Sequence, residues 1–360
     1  MKNKFCFSLK QLGVILLLFV SGMALAQPKK YAADYKSPTT PDGRIVVAYV
    51  SAGSTIMPDP FAMTHINYAF GSVNETFNGV DISKPERLKQ IVTLKQKNPD
   101  LKIQLSIGGW GSGRFSEMAA DPKLRQAFAK DCARIVKEFG IDGIDIDWEY
   151  PTNGGAGISE SAADTYNYTL LMKDLRKAIG KKALLTLASS SSARYIDFPS
   201  ILPYISFVNV MSYDMGTPPM GWHNGLFTSE KSRRNSCKTA IDRHIKVGIP
   251  ITMITMGLPF YGRGGRGYDN YLDWKVYVDW KKTGKLQEKG LTEEWDDEAK
   301  VPYLVGKDGV PAYTFENEKS LKLKCDYIKE RNLLGGMYWE YTCDDENGTL
   351  RNIVRDALLK

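Results

Sequence analysis

Histidine is scarce in this chain: there are 3 in 360 residues. None of the 5 cysteines pairs with another at metal-ligand spacing, so a zinc centre is not expected. Beyond the N-terminus no apolar run is long enough to span a bilayer. The formal net charge is +7, but the basic residues are scattered rather than clustered, which argues against a nucleic-acid surface. No internal repeat or low-complexity tract is present. The segment after the first strand-like run, Ser51-Ala52-Gly53-Ser54-Thr55, lacks the glycine pattern of a dinucleotide-binding turn.

The N-terminus has the three parts of a secretory signal. Lys2 and Lys4 form a charged start, Leu12 to Val20 a short apolar core, and Ala24-Leu25-Ala26 a small-x-small cleavage site. Residues 1–26 are therefore expected to be removed on export, taking Lys2, Lys4 and Lys10 with them and lowering the net charge from +7 to +4. Cys6 precedes the apolar core and is not placed as a lipobox cysteine. No membrane attachment is expected once the signal is gone, so a secreted or periplasmic protein follows. Cys132 and Cys237 sit at helical spacing among apolar residues and read as buried free thiols, whereas Cys325 and Cys343 flank one strand and could pair.

Residues 27–43 are polar, with Pro38, Pro41 and Gly43, and read as a flexible lead-in. A strand–helix alternation then runs over 44–360. Strand-like runs begin at Arg44, Thr64, Leu101, Gly143, Leu184, Phe207, Ile251 and Gly335. Between them lie helical patterns: one opened by Ser83-x-x-Glu86 with Pro85, one from Asp121-Pro122 to Gly140, one over 159–179, one over 231–247 and a closing one over 349–359. Eight strands alternating with helices imply an α/β (β/α)8 TIM barrel. The connection over 263–334 is too long for a plain loop and is rich in aromatics, among them Tyr268, Tyr271, Trp274 and Tyr277. Val301 to Val305 and Ala312 to Phe315 read as strands and 320–331 as a helix, so a small α+β insertion on the rim is expected.

The stretch from Asp142 to Tyr150 carries the chemistry. Ile144, Ile146 and Trp148 alternate with Asp145, Asp147 and Glu149, so a strand here places three carboxyls on one face and an apolar surface on the other. Acids two residues apart along a strand stand about 7 Å apart at the backbone. Mutual repulsion and burial disfavour three charges there, so at least one acid is expected to hold its proton near neutral pH. A retained proton is what glycosidic cleavage requires, because the leaving oxygen must be protonated. Glu149 falls at the strand's C-terminal end, where a parallel barrel opens. An exposed polar face and a hard-cation site are the other readings; the glycine turn and spacing of a calcium loop are missing.

The run Asp142-x-x-Asp145-x-Asp147-x-Glu149 resembles the Asp-x-x-Asp-x-Asp-x-Glu signature of glycoside hydrolase family 18, the chitinase family. The resemblance extends from Arg44 to Glu340: Ser106-Ile107-Gly108-Gly109, Met211-Ser212-Tyr213-Asp214, Pro259 to Arg263 and Gly335 to Glu340 are similar to further family motifs in the same order. It implies hydrolysis of β-1,4 bonds in chitin or other N-acetylglucosamine-containing glycans, with retention and attack by the substrate's own acetamide. Glu149 would be the general acid/base. Asp147 would hold the acetamido N–H, Asp145 would share a proton with Asp147, and Tyr213 would bind the acetamido oxygen. Trp339 would be the floor under the reacting sugar, and Asp214, Met211, Tyr261 and Arg263 would be sugar contacts. Tyr49, Tyr68, Phe70 and Trp110 are either further contacts or barrel filler. Asp142, Ser106, Gly108 and Gly109 are assigned structural parts. No cofactor and no metal are implied, and a monomer is expected. An endo-β-N-acetylglucosaminidase acting on N-glycans would share the same acids, and a lectin with a dead site is the reading from another class; such lectins usually lack the acid at the Glu149 position. No segment is left for an appended carbohydrate-binding module, and endo versus exo action stays open.

Overall fold

A computed structural model of the chain describes Met1 and residues 35–37, 39–232 and 234–360. Apart from Met1, the expected signal falls outside the described residues. The strands, in chain order, are β1 (Ile45–Ser51), β2 (His65–Val73), β3 (Val80–Ile82), β4 (Lys102–Gly108), β5 (Gly143–Asp147), β6 (Leu184–Ser190) and β7 (Phe207–Met211). They continue as β8 (Ile254–Pro259), β9 (Tyr261–Gly264), β10 (Leu272–Asp273), β11 (Thr292–Asp296), β12 (Val301–Val305), β13 (Pro311–Thr314) and β14 (Gly335–Trp339). The helices are α1 (Pro85–Val92), α2 (Phe115–Ala120), α3 (Pro122–Phe139), α4 (Asp164–Ile179), α5 (Phe198–Ile201), α6 (Cys237–Lys246), α7 (Trp274–Thr283), α8 (Lys285–Glu288), α9 (Glu318–Glu330) and α10 (Thr349–Leu358).

Strands β1, β2, β4, β5, β6, β7, β8 and β14 pair in parallel, and β1 closes the ring by pairing with β2 on one side and β14 on the other. This is a (β/α)8 barrel. Residues in register on neighbouring strands point the same way. The outward rows run through Val50, Tyr68, Leu105, Ile144 and Leu185, which pair in succession, and all are buried under the helices. The inward rows carry Tyr49, Asn67 and Gln104, then Ala69, Ser106, Asp145 and Thr186. The barrel interior therefore carries polar side chains, and most of their donors pair inside the ring, the Asn67 amide being left without a partner among the described residues. A second, antiparallel sheet of order β10-β9-β13-β12-β11 lies between β8 and β14 in the chain, with α7, α8 and α9 around it.

Several element ends differ from the sequence pattern. Asp121 caps α3 as expected, accepting from the Lys123 and Leu124 N–H groups, and Gly140 closes it with φ 66°. The Ser83-x-x-Glu86 capping box does not form. Lys84 occupies the cap of α1 with φ 50° and no side-chain bond, and the Ser83 N–H that the box needs goes to the Phe70 carbonyl at 3.1 Å, while the Tyr68 hydroxyl holds the turn through the Ser83 and Lys84 carbonyls at 2.8 and 2.9 Å. Helix α4 begins at Asp164 rather than Ser159, since the buried Asp164 carboxylate holds the preceding turn through Ser161 N–H and Ser116 Oγ, both at 2.7 Å. Helix α6 begins at Cys237 rather than Lys231. Its capping box is Ser236 with Thr239, and Lys231 lies instead over the rings of Trp222 and Tyr303.

The lead-in is not free along its whole length: Tyr35 donates to or accepts from His65 Nε2 at 2.8 Å and packs on the His65 and Phe207 rings. The four described cysteines, 132, 237, 325 and 343, are all free and buried. A Cys325–Cys343 bridge is therefore absent; Cys325 lies in the buried face of α9 and the Cys343 thiol turns to Asp273 at 3.4 Å. Among the described residues no helix is long and apolar enough to cross a membrane.

Candidate active site

The alternation in β5 sorts its side chains as a strand must. Ile144, Ile146 and Trp148 are buried on the helix side, with Trp148 stacked on Phe115 of α2 at 5.2 Å and tilted against Tyr168 of α4 at 6.0 Å. That packing turns Asp145 and Asp147 inward. The strand ends at Asp147, and Glu149 stands just beyond it. Gly108 of β4 pairs with Asp147, and a Cβ at Gly108 would stand 2.0 Å from the Asp147 carbonyl oxygen, so only glycine fits beside this acid.

Three acids in a row have three different environments. Asp145 is fully buried and accepts four bonds: from Tyr49 at 2.7 Å and Ser106 at 2.9 Å on one oxygen, and from Thr186 at 2.5 Å and Asn209 at 3.2 Å on the other. Thr186 in turn accepts from Gln104, and Asn209 accepts from Thr255 at 2.8 Å, so these inward side chains form one polar network around Asp145. Burial still leaves this carboxyl above its ordinary range, against the four bonds that favour its charge. Asp147 is 3% exposed and its Oδ1 has no hydrogen-bond partner among the described residues. Burial first, then the charges of Glu149 and Asp145, push its carboxyl well up. Glu149 is raised to about 7 by burial and by the Asp214 charge, against a hydrogen bond from Tyr150.

The rim supplies the remaining groups. The Asp214 backbone has φ 54°, and its carboxylate is gripped by Arg263 through two bonds of 2.7 Å, with His223 at 3.4 Å. Burial raises the Asp214 carboxyl, but the Arg263 and His223 bonds outweigh it and hold it well below the usual range. Tyr213 is buried with its ring against Tyr261 at 6.1 Å, and Met211 is buried on the inner face of β7. Trp339 ends β14; Phe70 stacks on it at 5.5 Å, Tyr49 tilts against it at 5.6 Å, and its indole N–H donates to Tyr271 at 2.9 Å. Trp110 is 67% exposed on the rim, 6.4 Å from the Tyr150 ring.

Two sequence-derived positions fall elsewhere. Tyr68 is not part of this site: it faces outward from β2, in register with Val50 and Leu105, and its hydroxyl is spent on the turn before α1. One residue of strand alternation separates it from the inner row. Asp142 precedes β5 at the opposite end from Glu149, where it bonds Lys95 and the Ile103 N–H, both at 2.8 Å. Sequence reasoning missed Thr186, Asn209, Gln104, His223 and Tyr271. A usable signal existed for Asn209, the single polar residue of β7, and for Thr186, which stands between leucines in β6. None existed for His223, which a loop folds inward.

A carboxyl raised to about 7 just beyond β5, a buried carboxyl with an unpartnered oxygen at the end of that strand, and the braced Trp339 ring suit acid-assisted cleavage of a glycosidic bond. Among the described residues no group of three or more His, Cys, Asp or Glu is arranged to hold a metal ion.

Comparison with known proteins agrees with that chemistry. A model of the glycosyl hydrolases family 18 matches residues 44–344. Chitinase A1 of Niallia circulans is 30% identical over 349 residues, covering 86% of this chain; the chain spans only 49% of that relative's length. Among solved structures, an N-acetylglucosaminidase of family 18 from Paenibacillus barengoltzii has 32% identity and a TM-score of 0.78, covering 88% of this chain and all of that one. Chitinase ChiW from Paenibacillus sp. str. FPU-7 has 28% identity and a TM-score of 0.80, covering 88% of this chain and 43% of that one.

Proposed function

The chain belongs to family 18 of the glycosyl hydrolases, and from that premise we propose that it is a chitinase, cutting β-1,4 bonds after N-acetylglucosamine with retention of anomeric configuration. The observation that carries this reading is the pair at the end of β5: Glu149, raised to about 7, and two residues before it the buried Asp147, which feels the Glu149 charge and has one oxygen without a partner among the described residues.

The steps follow from those two environments. Glu149 donates its proton to the leaving glycosidic oxygen. The substrate's acetamide carbonyl oxygen attacks the anomeric carbon as that bond breaks, giving a cyclic oxazolinium. Asp147 accepts the acetamido N–H and offsets the positive charge that develops there. Tyr213 binds the acetamide oxygen and aims it. Glu149, now a carboxylate, takes a proton from water as the water oxygen attacks the anomeric carbon from the face that the leaving group vacated, which breaks the bond to the acetamide oxygen, gives net retention and restores the acid. Asp145 acts below, where its four donors anchor its carboxyl and set the field that Asp147 feels. Trp339 gives the reacting sugar its floor, and Asp214, Arg263, Tyr261, Met211, Phe70 and Trp110 are wall and rim contacts. The Tyr49 hydroxyl is committed to Asp145, so its part is to hold the acid network and brace Trp339.

The likeness to an N-acetylglucosaminidase favours a second reading, release of single N-acetylglucosamine units. One experiment separates the two: a time course on the hexasaccharide of N-acetylglucosamine, with proton NMR of the earliest products. A chitinase yields β-anomeric oligomers first. Release of monosaccharide alone from the start supports the second reading. α-Anomeric first products would exclude acetamide attack, and no cleavage by folded protein would remove both readings. On targeting, we infer that residues 1–26 are an export signal, with the catalytic barrel following the 27–43 lead-in and the 263–334 insertion on its rim; N-terminal sequencing of protein recovered outside the cytoplasm should begin at Gln27.

A further inference from the structure

Trp339 is braced on two sides by barrel residues, Phe70 and Tyr49, but neither bonds its indole N–H. That proton goes to the Tyr271 hydroxyl at 2.9 Å. Tyr271 lies between β9 and β10, so the bond comes from the second sheet and not from the barrel. The Tyr271 ring is stacked on Tyr261 at 4.2 Å and 6°. The Arg263 guanidinium lies 4.8 Å from the centre of the Tyr271 ring and 5.2 Å from that of Tyr261, while two of its N–H groups hold Asp214. One tyrosine, 39% exposed, thus joins the Trp339 floor, the Tyr261 wall and the Arg263–Asp214 clamp.

We propose that Tyr271 is a positioning residue of the active site: by accepting the Trp339 indole N–H while stacked on Tyr261, it sets the plane on which an N-acetylhexosamine ring rests. The second torsion of a tryptophan is broad and two-fold, and ring packing alone leaves the indole free to tilt. A bond at the indole nitrogen selects one tilt before substrate arrives, so the ordering is not charged against binding. The stack on Tyr261 fixes Tyr271 in turn, and Arg263 closes over both rings. One side chain outside the barrel therefore sets the floor while its ring, which a phenylalanine would keep, lies against the Arg263 of the clamp. This proposal rests on the reading of the acids and Trp339 given above.

Tyr271→Phe in the full-length protein is the test, because it keeps the ring stack and removes the acceptor. Three readouts are taken: thermal melting, kcat and KM on the N-acetylglucosamine hexasaccharide, and the Trp339 indole N–H resonance in 15N-labelled protein, assigned with Trp339→Phe. The expected result is a near-wild-type melting point, an upfield and faster-exchanging indole resonance, and a kcat/KM lower by roughly 2- to 10-fold through KM, the size of one lost neutral hydrogen bond. The pH profile should keep its shape, since the groups that tune Glu149 are untouched. An indole resonance that does not move, or one that moves with unchanged kinetics, overturns the proposal. If Tyr271→Phe melts low, a double-mutant cycle decides: with Trp339→Phe already in place, Tyr271→Phe should cost no further activity, and additive losses would refute the coupling. A wild-type protein that fails to cleave the hexasaccharide removes the underlying reading, whereas an active wild type with an unaffected variant removes this proposal alone.

Discussion

Replacing Glu149 by glutamine tests the central electrostatic argument through two properties at once. Burial, and then the Asp214 charge acting against the Tyr150 bond, moves this carboxyl from the ordinary 4.5 to about 7. That gap corresponds to about 3 kcal/mol between its two protonation states. In the unfolded chain Glu149 loses its proton near 4.5; in the folded protein it keeps it until about 7. The folded state therefore binds more protons in that window, and the stability Glu149 contributes is complete below pH 4.5 and is lost as pH rises to about 7. Glu149 is partly open to solvent, which reduces the realised loss to roughly 1–2 kcal/mol. Glutamine cannot ionise, so Glu149→Gln should match wild type at pH 4.5 and exceed it by roughly 1–2 kcal/mol at pH 8. Asp147 shares in that gain, because the Glu149 charge is among the causes that raise it. Over the same substitution, hydrolysis should fall roughly 10²–10⁴-fold, the usual contribution of a general acid. Urea unfolding at the two pH values and a chitin-oligosaccharide assay read both outcomes. A variant equally stable or less stable than wild type at pH 8, or one stabilised equally at both pH values, would refute the reasoning.

Other perturbations test neighbouring parts of the site. Because Glu149 must be protonated to act as acid, kcat/KM should decline as pH rises through about 7; Asp214→Asn removes a charge that raises Glu149 and should move this limb to lower pH by a fraction of a unit, since burial is the larger cause. A limb that stays put or moves up would contradict the assigned coupling. Asp145→Asn leaves two of four donors facing an amide NH₂ and should lower stability by roughly 2–4 kcal/mol, read by calorimetry, together with a loss of turnover. Lys324→Met strands the Glu316 carboxylate, its fully buried partner between α9 and the loop after β7, and should cost roughly 3–5 kcal/mol in urea unfolding; replacing both residues with apolar ones should recover most of that.

The barrel and its acid strand were legible because both follow from periodicity. Alternation in Ile144, Asp145, Ile146 and Asp147 assigns faces whatever surrounds the strand, and eight such strands with helices between them leave few ways to close. Element ends were less legible. Ser83 and Ser159 carry helix-opening chemistry and Lys231 begins a helical pattern, yet α1, α4 and α6 begin later, where Tyr68, Asp164 and the Trp222–Tyr303 pair draw the backbone or side chain into other contacts. Tyr68 shows the same limit within a strand: an aromatic among inward-facing candidates turned outward because its neighbours Asn67 and Ala69 own the inner row.

By itself the sequence determined which residues are acids in a row, which face of that strand is apolar, and what order of strands and helices carries them. These are local properties, set by a two-residue period and by the cost of exposing apolar surface. Only the tertiary structure decided how, and by what, each acid is moved from its ordinary range. Asp145, Asp147 and Glu149 are identical in the pattern, but Asp145 meets four donors, Asp147 meets none on one oxygen, and Glu149 meets Tyr150 and the Asp214 charge at the mouth. Apart from Tyr150, which follows Glu149 in the chain, those partners arrive from β1, β4, β6, β7 and the loop after β7, and the energy of a charge depends on what surrounds it in space rather than along the sequence.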